Sequence, residues 1–186
     1  MSQSEHIAKE EMYMQKDPLL KALFEERGLI SSIRFCCIHK YIPAAIIMSF
    51  VTIDSISNLG RATDKDENDS NDFKSWCKKY LNICKTTILS PDDLWAARCS
   101  LIHTYGSESK DTRKRKAKII AWVDNNNEPV KHKDNLIVVS FHHFKQSLYD
   151  GICKFFDDIY AGKHNITQEV FEKRLDKLVN QYNLNK

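Results

Sequence analysis

The sequence lacks a surplus of one charge, a membrane-length apolar run and any cysteine pair at metal spacing, and each shortage closes off a class of function. Lys and Arg number 28 against 25 Asp and Glu, a formal charge of +3. Bulk charge therefore does not mark a nucleic-acid binder, and only local clustering of cations would. The most apolar stretch, residues 42–53, is about 12 residues long and stops at Asp54, short of the ~20 needed to span a bilayer. It reads as a buried helix. The opening MSQSEHIAKEEM has no signal-peptide core. Cys36, Cys37, Cys77, Cys84, Cys99 and Cys153 lie in apolar or helical surroundings, and neither Cys36-Cys37 nor Cys77-x6-Cys84 has zinc spacing. Free thiols in a reducing cytoplasm follow, with no metal expected and no membrane association. No internal repeat is visible.

What is present is the composition of a globular chain: 186 residues, 42% hydrophobic and 28% charged. That length suits a single domain able to bury a proper core. Residues 5–27 read as one or two helical pieces with Gly28 as a stop, and residues 30–39 as a second helix. Pro43 sits well at the start of a long helix ending at Gly60. From 61 to 72, ATDKDENDSND lacks apolar side chains beyond alanine and predicts a mobile surface loop. Phe73, Trp76, Cys77, Tyr80, Leu81 and Cys84 then follow helical spacing with lysines on the other side.

The clearest local signal is Ser90-Pro91-Asp92-Asp93: an N-cap hydroxyl, a proline at the first helical position, and two carboxylates at the positive end of the helix dipole. Gly106 is the expected stop. Beyond it, KAKIIAWV and NLIVVS flank the turn-forming DNNNEP, which predicts a small β-hairpin over about 117–140. Helices are expected again over 141–161 and 167–182. The fold class is thus mainly α with a small β insertion after the capped helix.

That helix carries Arg98 and His103 near its end, with Tyr105 following, in the pattern R-x4-H-x-Y. RNA contains its own nucleophile, the 2′-hydroxyl, so cleaving it needs only a group that exchanges protons near neutral pH and a fixed cation for the phosphorane. Histidine suits the first task and arginine, with its planar fork of donors, the second. No metal or other cofactor is required. At ~100° per residue the five-residue step places the two side chains about 140° apart around a straight helix, so they do not share a face. A long arginine and a histidine in a fraying last turn would have to converge. Other roles stand beside this one: an arginine paired to an acidic neighbour, and a histidine favoured by the helix C-terminus.

The motif resembles that of the HEPN superfamily, whose signature is an arginine, four to six residues and a histidine late in a helical bundle. The version ending in tyrosine looks like toxins paired with minimal nucleotidyltransferases. The apolar helix with Asp54, the pair Phe73 and Trp76, and the phrase LWAARCSLIHTYGSESK are similar to a bacterial branch of that class, over about residues 43–156. Cys99 departs from the pattern, where a polar residue usually follows the arginine.

The resemblance implies a single HEPN-like antiparallel helical domain and a two-fold homodimer in which two such helix ends meet in composite sites. It also implies metal-independent endoribonuclease activity, in a toxin or phage-defence role, with RNA as substrate and a nucleotidyltransferase-type antitoxin as partner. In that scheme His103 is the general acid or base and Arg98 the phosphate clamp. Ser100 and Tyr105 are supporting candidates, and Tyr105 is the site an adenylylating partner would modify. A non-catalytic dimer binding a nucleotide, RNA or protein is the alternative. Asp54 interrupts an apolar helix and must find a partner, orienting Arg98 or His103 or pairing elsewhere. Arg113, Lys114, Arg115 and Lys116, with Lys110 and Lys118, are expected either to track an RNA backbone or to form a solvated loop.

Overall fold

The computed structural model describes residues 28–124, 130–133 and 135–180; the helical pieces expected within 5–27 and the end of the last helix beyond 180 lie outside them. Seven α-helices and three short strands are present among the described residues. Helix α1 spans Leu29–Ile38 and α2 Ile42–Gly60, with Pro43 in the first turn of α2. The apolar character of α2 extends past Asp54, so by length and composition this helix would suffice to cross a membrane, yet half of its most apolar window is buried against its neighbours. It is the central core helix, contributing Ile46, Phe50, Ile53, Ile56 and Leu59. Four hydroxyls tolerate this setting because each donates to a carbonyl one turn back: Ser49 to Ala45, Thr52 to Met48, Ser55 to Val51 and Ser57 to Asp54.

Helix α3, Ser70–Tyr80, begins three residues earlier than the apolar pattern alone indicates. The reason is polar: Asp69 caps the helix and Asp72 returns the bond to the backbone N–H of Asp69, so the acidic end of the 61–72 stretch is a capping box. The preceding residues are tied down by their own charges. Arg61 donates to the carbonyls of Asn58, Lys65 and Asp66, and Arg174, from the last helix, donates to those of Leu59, Arg61 and Ala62. Phe73, Trp76, Cys77 and Tyr80 face the core, as their spacing predicts. After Tyr80 the chain opens at Leu81 into one 3₁₀ turn, Asn82–Lys85.

Helix α4, Pro91–Thr104, is followed by the one-turn α5, Lys110–Arg113, and then by strands β1, Ile119–Val123, β2, Val130–Lys133, and β3, Leu136–Ser140. The hairpin expected between the two apolar runs is not formed. β1 and β3 pair in parallel, Ile119 opposite Leu136 through Val123 opposite Ser140. The polar residues between them supply the missing antiparallel partner: β2 pairs with β3 on its other edge, giving the order β1-β3-β2. β3 is therefore the middle strand, with Ile137 and Val139 buried.

Helix α6, Phe141–Tyr160, crosses the sheet and α2, and α7, Gln168–Asn180, closes the fold. Gly151 lets α6 pass close to the end of α3, since a Cβ there would stand 3.0 Å from the Tyr80 carbonyl. Ring contacts run through the core from Trp122 and Phe144 to Phe50 and Phe73, and from Trp76 and Tyr80 to Phe155 and Phe171.

The start of α4 is fixed by Asp93, only 2% exposed. One carboxylate oxygen accepts from the Ser90 N–H at 2.9 Å and its hydroxyl at 2.7 Å; the other accepts from the Lys118 N–H at 2.6 Å, just ahead of β1. One buried side chain thus completes the capping box begun by Ser90 and anchors the sheet. Asp93→Ala should lower stability by about 2–4 kcal/mol, the sum of a lost cap and a stranded buried donor. Urea unfolding would measure it, and a loss below about 1 kcal/mol would show that the cap stands without this residue.

Candidate functional site

Arg98 lies on the face of α4 turned to α2, where Asp54 waits. Its Nε and Nη2 reach the same Asp54 oxygen at 3.0 and 2.9 Å. The pair is partly open, with side chains 20% and 24% exposed. One turn earlier on α4, Trp95 offers its ring to the guanidinium, 5.1 Å from Cζ to the centroid, and its own position is held edge-on by Phe73. Burial raises the Asp54 carboxyl above its ordinary range, and the Arg98 hydrogen bond and charge pull it back without cancelling the shift. Of the partners open to Asp54, Arg98 is the one it meets.

This pair stands at the edge of a basin of about 520 Å³ whose walls include Asn58, Arg61, Arg174 and Lys177. His103 is not among the lining residues. It is exposed, in the last turn of α4, on a different side of the helix. The structure therefore joins Arg98 to Asp54 and leaves His103 apart from both within one chain.

Ser100 is buried, with its hydroxyl donating to the Ala96 and Ala97 carbonyls. Together with Tyr105 it lines a separate, mainly apolar groove beside Ile42, Pro43 and Trp122. The helix ends one residue before the expected glycine stop. Tyr105, not Gly106, adopts the left-handed conformation, at φ 52°, while its N–H bonds to Leu101 O and that of Gly106 to Ser100 O. The bond from Tyr105 to Leu101 is that of the left-handed helix ending in which a glycine is usual, and a tyrosine there costs about 1 kcal/mol. The ring stands out, 68% exposed.

From this end the chain runs to Ser109, which caps α5. Lys110, Arg113, Lys114, Arg115 and Lys116 are all exposed, Arg115 in a left-handed turn. Lys118 leaves the group: its Nζ bonds to Ile88 O and lies 3.7 Å from Asp93. All six cysteines are free thiols. Burial pushes Cys84 up to about 12 and raises Cys99, which makes them poor nucleophiles. Among the described residues no group of three His, Cys, Asp or Glu is placed to hold a metal ion.

Sequence reasoning passed over Trp95, although it sits one helical turn before Arg98, a spacing that would have revealed it. Arg61, Arg174 and Lys177 carried no local signal, because they reach the basin from separate segments. Compared with protein-family models, curated proteins and solved structures, the chain matches none.

The Asp54 shift has a measurable sign. Its folded-state carboxyl keeps its proton above the ordinary midpoint of 3.8. The folded state thus binds more protons than the unfolded chain in that window, and the contribution of Asp54 to stability falls as pH rises through the raised midpoint. Asp54→Asn cannot ionise and should flatten that fall. Denaturant midpoints recorded from pH 3.8 upward, compared with wild type, test this, and identical slopes in both proteins would refute it.

Proposed function

We propose that this chain is a HEPN-type protein that acts on RNA as a two-fold dimer, cleaving it without a metal. One observation carries the proposal: an exposed histidine in the last turn of a well-capped helix, from which the chain runs into five exposed cations. The 2′-hydroxyl attacks the adjacent phosphorus and gives up its proton, the 5′-oxygen leaves and takes one up, and His103 makes one of these two transfers while water makes the other. Arg98 meets the charge that builds on the phosphorane. Because Arg98 and His103 occupy different sides of α4, the site is composite and forms where the α4 ends of two copies come together. Lys110, Arg113, Lys114, Arg115 and Lys116 lead the RNA backbone toward it. The exposed hydroxyl of Tyr105 is where a nucleotidyltransferase-type antitoxin would act. We place the protein in the cytoplasm, where free thiols persist.

A second reading, a dimer that binds RNA or another partner without cutting it, is favoured by the commitment of Arg98 to Asp54. Incubation of total RNA in EDTA with wild type, His103→Ala and Arg98→Ala distinguishes the two. Cleavage that falls by about 100-fold or more in both variants supports the enzyme. Equal or absent cleavage in all three ends it. The binding reading then requires salt-dependent RNA affinity whose slope drops by about 0.7 for each of Lys114, Arg115 and Lys116 replaced by alanine.

A further inference from the structure

Three segments distant in the chain enclose a second hollow, of about 450 Å³: the end of α2 with residues 61–65, one stripe of α3, and the turn between α6 and α7. Charge in its wall is one-sided. Arg61, Lys65, Lys79 and Lys163 line it against Asp72, the only carboxylate among the described lining residues. Lys65 is paired with Asp72 at 3.1 Å and with Asp69 at 3.2 Å, and Lys79 with Asp158 at 3.0 Å. Lys163, exposed in the α6–α7 turn, forms no ion pair among the described residues. The carbonyl end of α2, which would repel an anion, is covered by the guanidinium groups of Arg61 and Arg174.

The uncharged groups are donors too. His164 accepts the Ile166 N–H at Nδ1, 3.3 Å away, so its ring proton resides on Nε2 and that edge donates at any pH. Burial first, then the charge of Lys79, disfavours a second proton on this ring, with Asp158 opposing them. Trp76 is 4% exposed and its indole N–H has no acceptor among the described residues. Buried donors without partners are rare in folded proteins, and one in the wall of a cation-rich hollow adds to the demand for an acceptor.

We propose that this hollow binds a phosphate monoester, with Lys163, Lys79 and the Nε2–H of His164 as its contacts. A monoester carries about −1.5 to −2 at neutral pH and three acceptor oxygens, which matches a wall of cations and donors better than a single carboxylate does. The volume lies within the range of small-molecule sites of roughly 300–1,000 Å³ and admits a group of mononucleotide size. A merely solvated cationic face would be spread along one segment. Here the cations arrive from three and converge.

The test is NMR titration of the His164 imidazole, assigned by its loss in His164→Gln, using inorganic phosphate, cytidine 5′-monophosphate and cytidine. Phosphate and the monophosphate should shift the ring saturably and raise its titration midpoint, because a bound dianion favours the imidazolium; cytidine should do neither. Arg61, Lys65, Asp72, Lys79, Asp158 and Lys163 are the charged groups near the ring whose own protonation must stay constant over the range used. Lys163→Ala, at an exposed site that leaves the fold intact, should weaken binding about tenfold, and Lys114→Ala, elsewhere on the surface, should not. No shift at His164, equal binding of cytidine, or equal weakening by Lys114→Ala would overturn the proposal. The measurement involves no RNA cleavage, so its failure leaves the ribonuclease reading where it stood, and the reverse holds.

Discussion

The buried carboxylate of Asp93 ties the first turn of α4 to the residue that leads into β1, and the placement of everything on α4 depends on that tie. A helix cap is ordinarily a local affair, worth about 1 kcal/mol. Here the other oxygen of the same carboxylate also receives the Lys118 N–H, 25 residues along the chain. The helix start, the sheet and the loop between them become one unit. With the origin of α4 set in this way, its rotation is set as well, and with it the face on which Arg98 meets Asp54.

That rotation divides the residues of the R-x4-H-x-Y pattern among three surroundings. Arg98 is turned inward to Asp54 and Trp95, His103 outward to solvent, and Tyr105 toward the apolar groove by Ile42 and Pro43. A single chain offers a held cation and an exposed imidazole, but not side by side. Any chemistry needing both must borrow geometry from a second molecule, whereas chemistry needing only the cation can use the basin beside it.

Much of this was legible before any coordinates. Ser90-Pro91-Asp92-Asp93 announces its helix through side-chain chemistry that acts within four residues, and Phe73, Trp76 and Tyr80 reveal their buried face by spacing alone. The divergence of Arg98 and His103 follows from the pitch of a helix. What escaped depends on partners far along the chain. The strand pairing did so because β2 is too polar to announce itself, yet it takes the antiparallel edge of β3 and leaves β1 the parallel one. Tyr105 escaped because the glycine beside it is the better left-handed residue on intrinsic grounds. The hollow at Lys163 and His164 did so because its cations lie about a hundred positions apart.

The clasp of Arg174 on the carbonyls of Leu59, Arg61 and Ala62 bears on how the chain would be digested. A polar stretch with basic residues such as Arg61 and Lys65 is the kind of segment a trypsin-like protease cuts first. Here the backbone around that bond is held in place by a side chain from the final helix. A cut at Arg61 would therefore report the detachment of α7 and not the local motion of the loop, which makes limited digestion a gauge of how firmly the carboxy-terminal helix is seated.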